Sequence, residues 1–391
     1  MKIVAINGSD NGSTGNLASE ILKYEAEKGN EVVLICPNPK RTDLKTYDCR
    51  FSKIDKFLSK YFVKLFGNDG FSNNFNTFKI IKFLKRFKPD IVHLHVLHGE
   101  FVNVNRLLLF LKKSKIKIIW TFHDCWAFTG KCPHFTFNSC YKWKDECKKC
   151  PHTREYPKSF LFDKTKSQFK KKKKWFENFD ALTIVSVSNW LDSFLSKSIC
   201  KNVKHVVIHN GVDFNNMNSN SVTKKYDFIS VAYPWSTKKG LREINELAMV
   251  IDNLHLDLKI CVVGLENKNK THNSIIRYGK VDRETLKDLY NESKVLLNLS
   301  FEETFGLTVI EANSMSVPVI CIKNSGGLEE IITKESGIII ETRNPEKIIG
   351  AYDYINSRYK DFCLSAFLQS RKYSLEKMND LYDCLYYQKM E

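Results

Sequence analysis

Three observations in the 391-residue sequence predict an α/β protein of two doubly wound domains. Short apolar runs alternate with segments of helical spacing, which implies parallel sheets covered on both faces. The alternation begins afresh after the polar stretch "NNMNSNSVTKK". The length is more than twice that of an ordinary domain.

The first half opens on "KIVAI" (2–6), a short buried strand, followed by the Gly/Ser turn "NGSDNGSTGN". Helical spacing over 17–28 ends at Gly29, and "EVVLI" (31–35) is the next strand. "TFKIIKFLKRFKPD" is an amphipathic helix stopped by Pro89. "DIVHLH" (90–95), "KIKIIWTFH" (115–123) and "ALTIVSVS" (181–188) are further strands. In the second half "YDFISVA", "LKICVVG", "KVLLNLS", "PVICI" and "GIII" read as strands. "LREINELAMVI" and "DRETLKDLYNES" read as helices, the latter with Asp282 as its N-cap. The expected boundaries are 1–210 for the first domain and 211–370 for the second, with 371–391 a terminal helix packing back toward the first domain. Ligands of such sheets bind beyond the carboxyl ends of the strands, so functional residues are expected just after them.

Charge is distributed unevenly. Residues 1–200 carry 36 Lys+Arg against 19 Asp+Glu, and residues 201–391 carry 25 against 25. The whole excess of +17 lies in one half, which suggests a polyanionic partner. No recognisable nucleic-acid module accompanies it, so an anionic membrane surface is expected and nucleic acid is not. No run of 18 apolar residues appears, and the N-terminus does not read as a signal peptide. Twelve cysteines in such a chain imply a reducing cytoplasm, with thiols or metal ligands rather than disulfides.

The most informative stretch is "FEETFGLTVIEA", which follows the strand "KVLLNLS". A helix beginning near Phe305 would present the amides of Gly306, Leu307 and Thr308 as unpaired donors, a ready phosphate site. Gly306 would let an anion approach the main chain closely. Glu303 precedes the helix, and Glu311 lies about two turns in. Carboxylates repel phosphate but accept hydrogen bonds from hydroxyls. The arrangement suits a ligand built as hydroxyl, diphosphate, hydroxyl, which is the layout of a nucleotide sugar.

"EETFGLTVIEANSMSVPVI" resembles the paired-glutamate motif of retaining family 4 glycosyltransferases. That resemblance implies the GT-B fold, two Rossmann-like domains with the active site in the cleft between them. It implies that Glu303 contacts the donor sugar and Glu311 the ribose. "YPWSTKKGL" resembles the family's diphosphate clamp, with Lys239 in the lysine position and Lys238 beside it. The family's arginine position holds Tyr233 instead. "NSGGLEEII" resembles the Gly-Gly turn with its following glutamate, Glu330, and "VIHNGVD" resembles the interdomain join. In the first half, "NGSDNGSTGN" resembles the glycine loop beneath acceptor and diphosphate, with Gly12 and Gly15 as the close-approach positions. His123 matches the histidine that faces the donor sugar. His95 and His98 end a strand where they could line the acceptor side, whereas His93 is expected to point into the fold. The resemblance is nearest to bacterial enzymes of capsule, O-antigen or exopolysaccharide synthesis. It implies a nucleotide-sugar donor, a polyprenyl-diphosphate-linked glycan acceptor, a peripheral place on the inner face of the cell membrane, and catalysis with no required cofactor. The readings it competes with are a nucleotide-sugar epimerase or hydrolase of the same fold, and a non-catalytic binding subunit.

Two further expectations concern the first half. Cys132, Cys140, Cys147 and Cys150, in an insertion at 125–152, form a candidate structural zinc set, with His134 and His152 as substitutes and Cys125 in the core. "KSQFKKKKKWFENF" (166–179) reads as a basic helix edged by Phe169, Trp175 and Phe176, the pattern of a helix lying on a bilayer.

Overall fold

The computed structural model describes residues 1–50, 60–61, 63–214, 223–266 and 272–388. Most of the polar stretch at 215–225 lies outside them. The chain divides into two units, Met1–His209 together with Asn379–Glu391, and Asn210–Met378.

The first unit is a seven-stranded parallel sheet. Its strands are β1 (Lys2–Ile6), β2 (Glu31–Cys36), β3 (Thr46–Asp48), β4 (Ile91–Leu94), β5 (Lys117–Phe122), β6 (Leu182–Ser186) and β7 (Lys204–Val207). They lie in the order β3-β2-β1-β4-β5-β6-β7. Ile3 is in register with Val32 on one side and with Ile91 on the other. The strand order therefore reverses beside β1, and the crevice at that switch lies beyond the carboxyl ends of β1 and β4. Central strands are apolar along their length because helices cover both faces: Ile3 to Ile6 and Val33 to Cys36 are all buried. The first helix, Gly12–Glu27, starts earlier than its apolar spacing suggests, from a left-handed turn at Gly12 (φ +73°).

The C-terminal residues from Asn379 pack on this sheet. The Tyr386 hydroxyl meets His93 Nδ1 at 2.6 Å, and the Tyr382 hydroxyl meets Thr121 Oγ1 at 2.9 Å. Lys117 Nζ donates to the Leu385 carbonyl at 2.6 Å. Both tyrosines are buried, so each contributes apolar area, roughly 1.5–3 kcal/mol, while its hydroxyl stays paired. His93 is fully buried, as its sequence position suggests.

The helix Thr165–Phe176 corrects one expectation. Phe169, Trp175 and Phe176 are in the core and not at a bilayer-facing edge. Trp175 packs on Trp120, Trp126 and Phe71, with ring centroids 5.4–6.4 Å apart. The lysine run is divided by helical periodicity. Lys170, Lys171, Lys173 and Lys174 reach solvent, and Lys172 is fully buried. Lys172 Nζ donates to the Trp126 carbonyl at 2.6 Å and lies 3.6 Å from the Trp126 ring centroid. Burial pushes its ammonium down to about 7. An unfolded lysine titrates near about 10.4, so between about pH 7 and 10 the unfolded chain binds more protons than the native one. The stability of the native protein relative to Lys172→Met should therefore rise as pH increases through that window, read by urea midpoints. A difference independent of pH would show that Lys172 titrates normally.

The second unit repeats the topology. Its strands are β8 (Tyr226–Val231), β9 (Ile260–Val263), β10 (Ile275–Tyr278), β11 (Ser293–Asn298), β12 (Val319–Ile322) and β13 (Gly337–Ile340). All are parallel, in the order β10-β9-β8-β11-β12-β13, with Val295 opposite Phe228. Phe228, Val295, Leu297 and Ile320 pack against Ile244 and Leu247 of the helix Leu241–Asn253 in one apolar cluster. Asp282 caps the helix Arg283–Asn291, accepting the Thr285 amide at 2.8 Å. The switch point of this sheet falls between β8 and β11, so the loops after those two strands face one crevice.

Candidate active site

In the second unit those two loops are bound together. Phe301 N–H donates to the Lys238 carbonyl at 2.9 Å. Gly240 (φ +77°) lies so near the second loop that a Cβ there would stand 2.6 Å from the Leu299 carbonyl. Trp235 anchors the first loop through Nε1 to the Val263 carbonyl at 2.8 Å. Arg343 anchors the second, donating to the carbonyls of Leu299 at 3.1 Å and Ser300 at 3.0 Å while its guanidinium covers Phe301.

This frame places Lys239 and Glu303 side by side. Lys239 Nζ is 2.7 Å from Glu303 Oε1, which also accepts the Ser300 hydroxyl at 2.8 Å. The Glu303 main chain is fixed by the "NSGG" turn. Its N–H donates to Ser325 O and its carbonyl accepts Gly327 N–H, at 2.8 and 2.9 Å. Gly326 (φ +110°) lies where any side chain would strike the Glu303 carbonyl. Glu330, three residues beyond Gly327, has its carbonyl engaged by the Tyr373 hydroxyl.

The helix after Glu303 runs Leu307–Ser314, with Gly306 (φ +109°) as its left-handed N-cap and no side chain capping its amides. It starts two residues later than the sequence suggests, because Phe305 is buried and Gly306 makes the turn. A Cβ at Gly306 would lie 2.2 Å from Leu328, so glycine is required both for φ and for packing. The uncapped amides of this helix start and the ammonium of Lys239 are donors of the kind that hold anions. Lys239, Ser300 and Thr308 line one recess with Ser230 and Trp235. Glu311, on the second turn, is half-buried and bonded to the fully buried Tyr290. Burial raises its carboxyl to about 7, against the smaller opposing effects of Arg283 and the Tyr290 hydroxyl. Tyr233 stands 68% exposed, with Lys280 Nζ 5.3 Å from its ring centroid, so the cations of this loop are Lys239, its neighbour Lys238 and Lys280.

In the first unit the loops after β1, β4 and β5 converge. Gly8 N–H donates to Val96 O at 3.0 Å, and Asn7 Oδ1 accepts Val96 N–H at 3.1 Å. Gly15 is a close-approach glycine, but its near neighbour is the chain's own Ser9–Asp10 backbone, 2.7–2.8 Å from a Cβ; Gly12 faces open space. The His95 and His123 rings stack, with Nδ1 and Nε2 3.2 Å apart. Burial holds both below the ordinary imidazole range, His123 at about 4, so each is neutral at pH 7. His98 differs. Burial opposes its charge, but the Asp124 carboxylate 2.7 Å away outweighs that and raises it. Asp124 is correspondingly lowered to about 2 despite its own burial. The other His98 nitrogen meets the Tyr156 hydroxyl at 2.9 Å. The result is a Tyr156–His98–Asp124 chain next to a neutral His95–His123 pair.

The sequence reading passed over Asp124, Tyr156, Ser300, Tyr290 and Arg343. Asp124 had a signal, since it follows His123 directly. The others act through folds of loop and helix that spacing does not disclose.

Among the described residues no group of three or more His, Cys, Asp or Glu is arranged to hold an ion, so Cys132, Cys140, Cys147 and Cys150 are not gathered as a ligand set. Cys132 donates a hydrogen bond to Cys150, and Cys147 Sγ accepts Gly130 N–H at 3.2 Å. The interior of the insertion is aromatic instead. Trp143 packs on Phe128, Phe135 and Phe194 with centroids 5.1–5.6 Å apart. Lys131 Nζ collects the carbonyls of His152, Thr153 and Glu155 at 2.9–3.1 Å, as a bound cation would. Cys125 is in the core.

Known proteins agree with this geometry. The family described as Glycosyltransferase Family 4 matches residues 14–216, and that described as Glycosyl transferases group 1 matches residues 213–360. Among relatives, the chain is 26% identical over 302 residues to the glycosyl transferase WcaC of Escherichia coli K12, whose name assigns it to colanic acid biosynthesis; 70% of this chain and 69% of WcaC are covered. Among solved structures, sucrose-phosphate synthase from Thermosynechococcus elongatus superposes with TM-score 0.70 at 13% identity, covering 98% of each chain. Anabaena HepE in complex with UDP and glucose gives 0.65 at 13% identity, covering 99% of this chain and 100% of that one. The fold is thus that of GT-B glycosyltransferases, and the chain belongs to glycosyltransferase family 4.

Proposed function

We propose that this glycosyltransferase moves a sugar, with retention of configuration, from a nucleotide sugar to a lipid-linked glycan at the inner face of the cell membrane. The product would be a repeat unit of a bacterial surface polysaccharide. The observation that carries this reading is the second unit's crevice: Lys239 and Thr308 line one recess, Glu303 is paired to Lys239, and the uncapped helix that begins at Leu307 carries Glu311. Lys239 has donors left for a diphosphate after its bond to Glu303. Glu311 accepts ribose hydroxyls, and Glu303 holds the sugar. A preorganised ammonium and helix start stabilise the leaving diphosphate as charge develops on it. The departing phosphate oxygen takes the acceptor proton. The first unit has a cluster of its own, His123, His95 and His98, for the acceptor side. At pH 7 the first two are uncharged, and with His95 Nδ1 against His123 Nε2 one ring of the pair has a donor nitrogen left and the other an acceptor. The names of WcaC and of the UDP-bound HepE structure support this donor and pathway class.

The test is a thermal-shift screen of nucleotide sugars, followed by product analysis with and without a polyprenyl-diphosphate glycan. One donor should raise the melting temperature, and its consumption should need the acceptor. Equal consumption without acceptor would point to a hydrolase or epimerase. Binding without any turnover would point to a non-catalytic subunit.

A further inference from the structure

No helix among the described residues is long and apolar enough to cross a membrane. The membrane contact implied by a lipid-linked acceptor must then be made by a surface. The helix Thr165–Phe176 turns its aromatic residues inward and offers only lysines. A different segment of the first unit offers what that helix lacks. Phe160, Leu161 and Phe162 are three consecutive large apolar residues with 55, 61 and 53% of their surface in water. Scattered exposed apolar residues need no explanation, but a run of three does.

The tip is built, not loose. Phe160 N–H donates to Lys64 O at 2.8 Å and Leu161 N–H to Leu65 O at 3.1 Å. The Phe162 carbonyl accepts the Ser159 hydroxyl. Phe162 stacks on Phe66, with centroids 5.9 Å apart at 11°. Tyr61, three residues before Lys64, is exposed as well. With these amides already paired, the tip can enter an apolar phase without stranding them. Lysines flank it in the chain: exposed Lys158 two residues before the tip, half-buried Lys64 in the segment that pairs with it, exposed Lys60 four residues earlier, and Lys164, whose Nζ is 5.8 Å from the Phe66 ring centroid. The acid within the loop, Asp163, is occupied by the amides of Cys150 and Thr165, and Glu100 is the acid whose charge acts on Lys60 and Lys64. An apolar tip flanked by ammonium groups is complementary to an anionic bilayer, where acyl chains take the tip and headgroups take the lysines. The same loop begins at Tyr156, whose hydroxyl bonds His98. The tip is thus four to six residues from the candidate acceptor-side cluster.

We infer that Phe160–Leu161–Phe162 is a membrane-docking finger that inserts into an anionic bilayer. The inference rests on the lipid-linked acceptor proposed above. Docking at this point would hold the acceptor side of the first unit at the bilayer surface, where a lipid-borne diphosphate sugar emerges. The exposed lysines of Thr165–Phe176 add long-range attraction only.

The test uses the full-length chain and vesicles of phosphatidylglycerol with phosphatidylcholine, or of phosphatidylcholine alone. The native protein should float with the anionic vesicles only. Phe160→Ser/Leu161→Ser/Phe162→Ser should reduce the bound fraction at least tenfold with an unchanged melting temperature and unchanged UDP binding. Lys170, Lys171, Lys173 and Lys174 changed to Gln should cause a smaller loss that high salt mimics. Phe160→Trp should blue-shift on binding and be quenched by brominated acyl chains. The finger is refuted if the triple-serine protein floats like the native one, if Phe160→Trp is not quenched, or if neutral vesicles bind equally. Loss of dimerisation without loss of flotation would instead make the patch a contact between copies, and also refute it. UDP binding reports on the donor reading separately, so either idea can fail alone.

Discussion

Glu303→Ala is expected to lower sugar transfer at least about 100-fold while changing affinity for the nucleotide found in the donor screen by less than about threefold, the pattern of a contact made mainly in the transition state. The side chain is held by Lys239 and Ser300 at 2.7 and 2.8 Å. Its main chain is held separately, through Ser325 O, Gly327 N–H and the close approach of Gly326. Truncation therefore removes the carboxylate and leaves the loop in place. It leaves Lys239 free for the diphosphate, so nucleotide affinity survives. Glu303→Gln should lie between the two, because the amide can still accept from a hydroxyl but carries no charge. Separate kcat and KM measurements with a matched donor decide the matter. Wild-type kcat in Glu303→Ala would remove this residue from the sugar site.

Much of this could be read before the structure, and the reasons are physical. Central strands are apolar runs because both faces are covered, so β1, β2, β4, β5, β8 and β11 were legible as runs. The edge strands β3 and β7 and the edge strand β10 are short and of mixed polarity, and they were not singled out. Glu303, Gly306 and Glu311 were legible because a helix start after a strand has a local signature. The lysine run shows where reading by composition fails. Five lysines in sequence look like one face, yet helical geometry sends the middle one, Lys172, into the core beneath Trp126. The cysteine cluster shows a different gap between composition and packing. Four soft ligands in a short loop suggest zinc, but Trp143, Phe135 and the Lys131 ammonium already fill and cross-link that interior. The exposed Phe160–Phe162 tip had no periodic signal at all, since exposure is a property of tertiary packing.

The second large effect belongs to Glu311. Its carboxyl titrates at about 7 in the free protein, chiefly because it is buried beside Tyr290. A ribose diol needs the ionised form, which accepts from both hydroxyls. Affinity for the donor's nucleotide, with UDP as the probe, should therefore rise between pH 6 and 8 and fall as much as about tenfold per pH unit below the midpoint. Glu311→Ala should weaken UDP by about 1–3 kcal/mol at pH 8, the scale of a hydrogen bond to a charged group. Glu311→Gln should weaken it too and remove its share of the pH dependence. Stability should move in the opposite sense. A carboxyl raised above its unfolded value, near about 4.3, stabilises the fold below that value and loses its contribution as pH rises through about 7. Ionising Glu311 thus costs the free protein on the order of 3–4 kcal/mol at pH 8, a cost that Glu311→Gln does not have. The glutamine variant should then melt higher than the native protein at pH 8 and about equally at pH 4, while binding UDP more weakly. Calorimetric UDP titrations and melting curves across pH 5–8 check both halves. If Glu311→Gln keeps the native UDP affinity at every pH, the ribose contact is not made by this carboxylate. If the two proteins melt together at pH 8, its pKa in the native protein is ordinary.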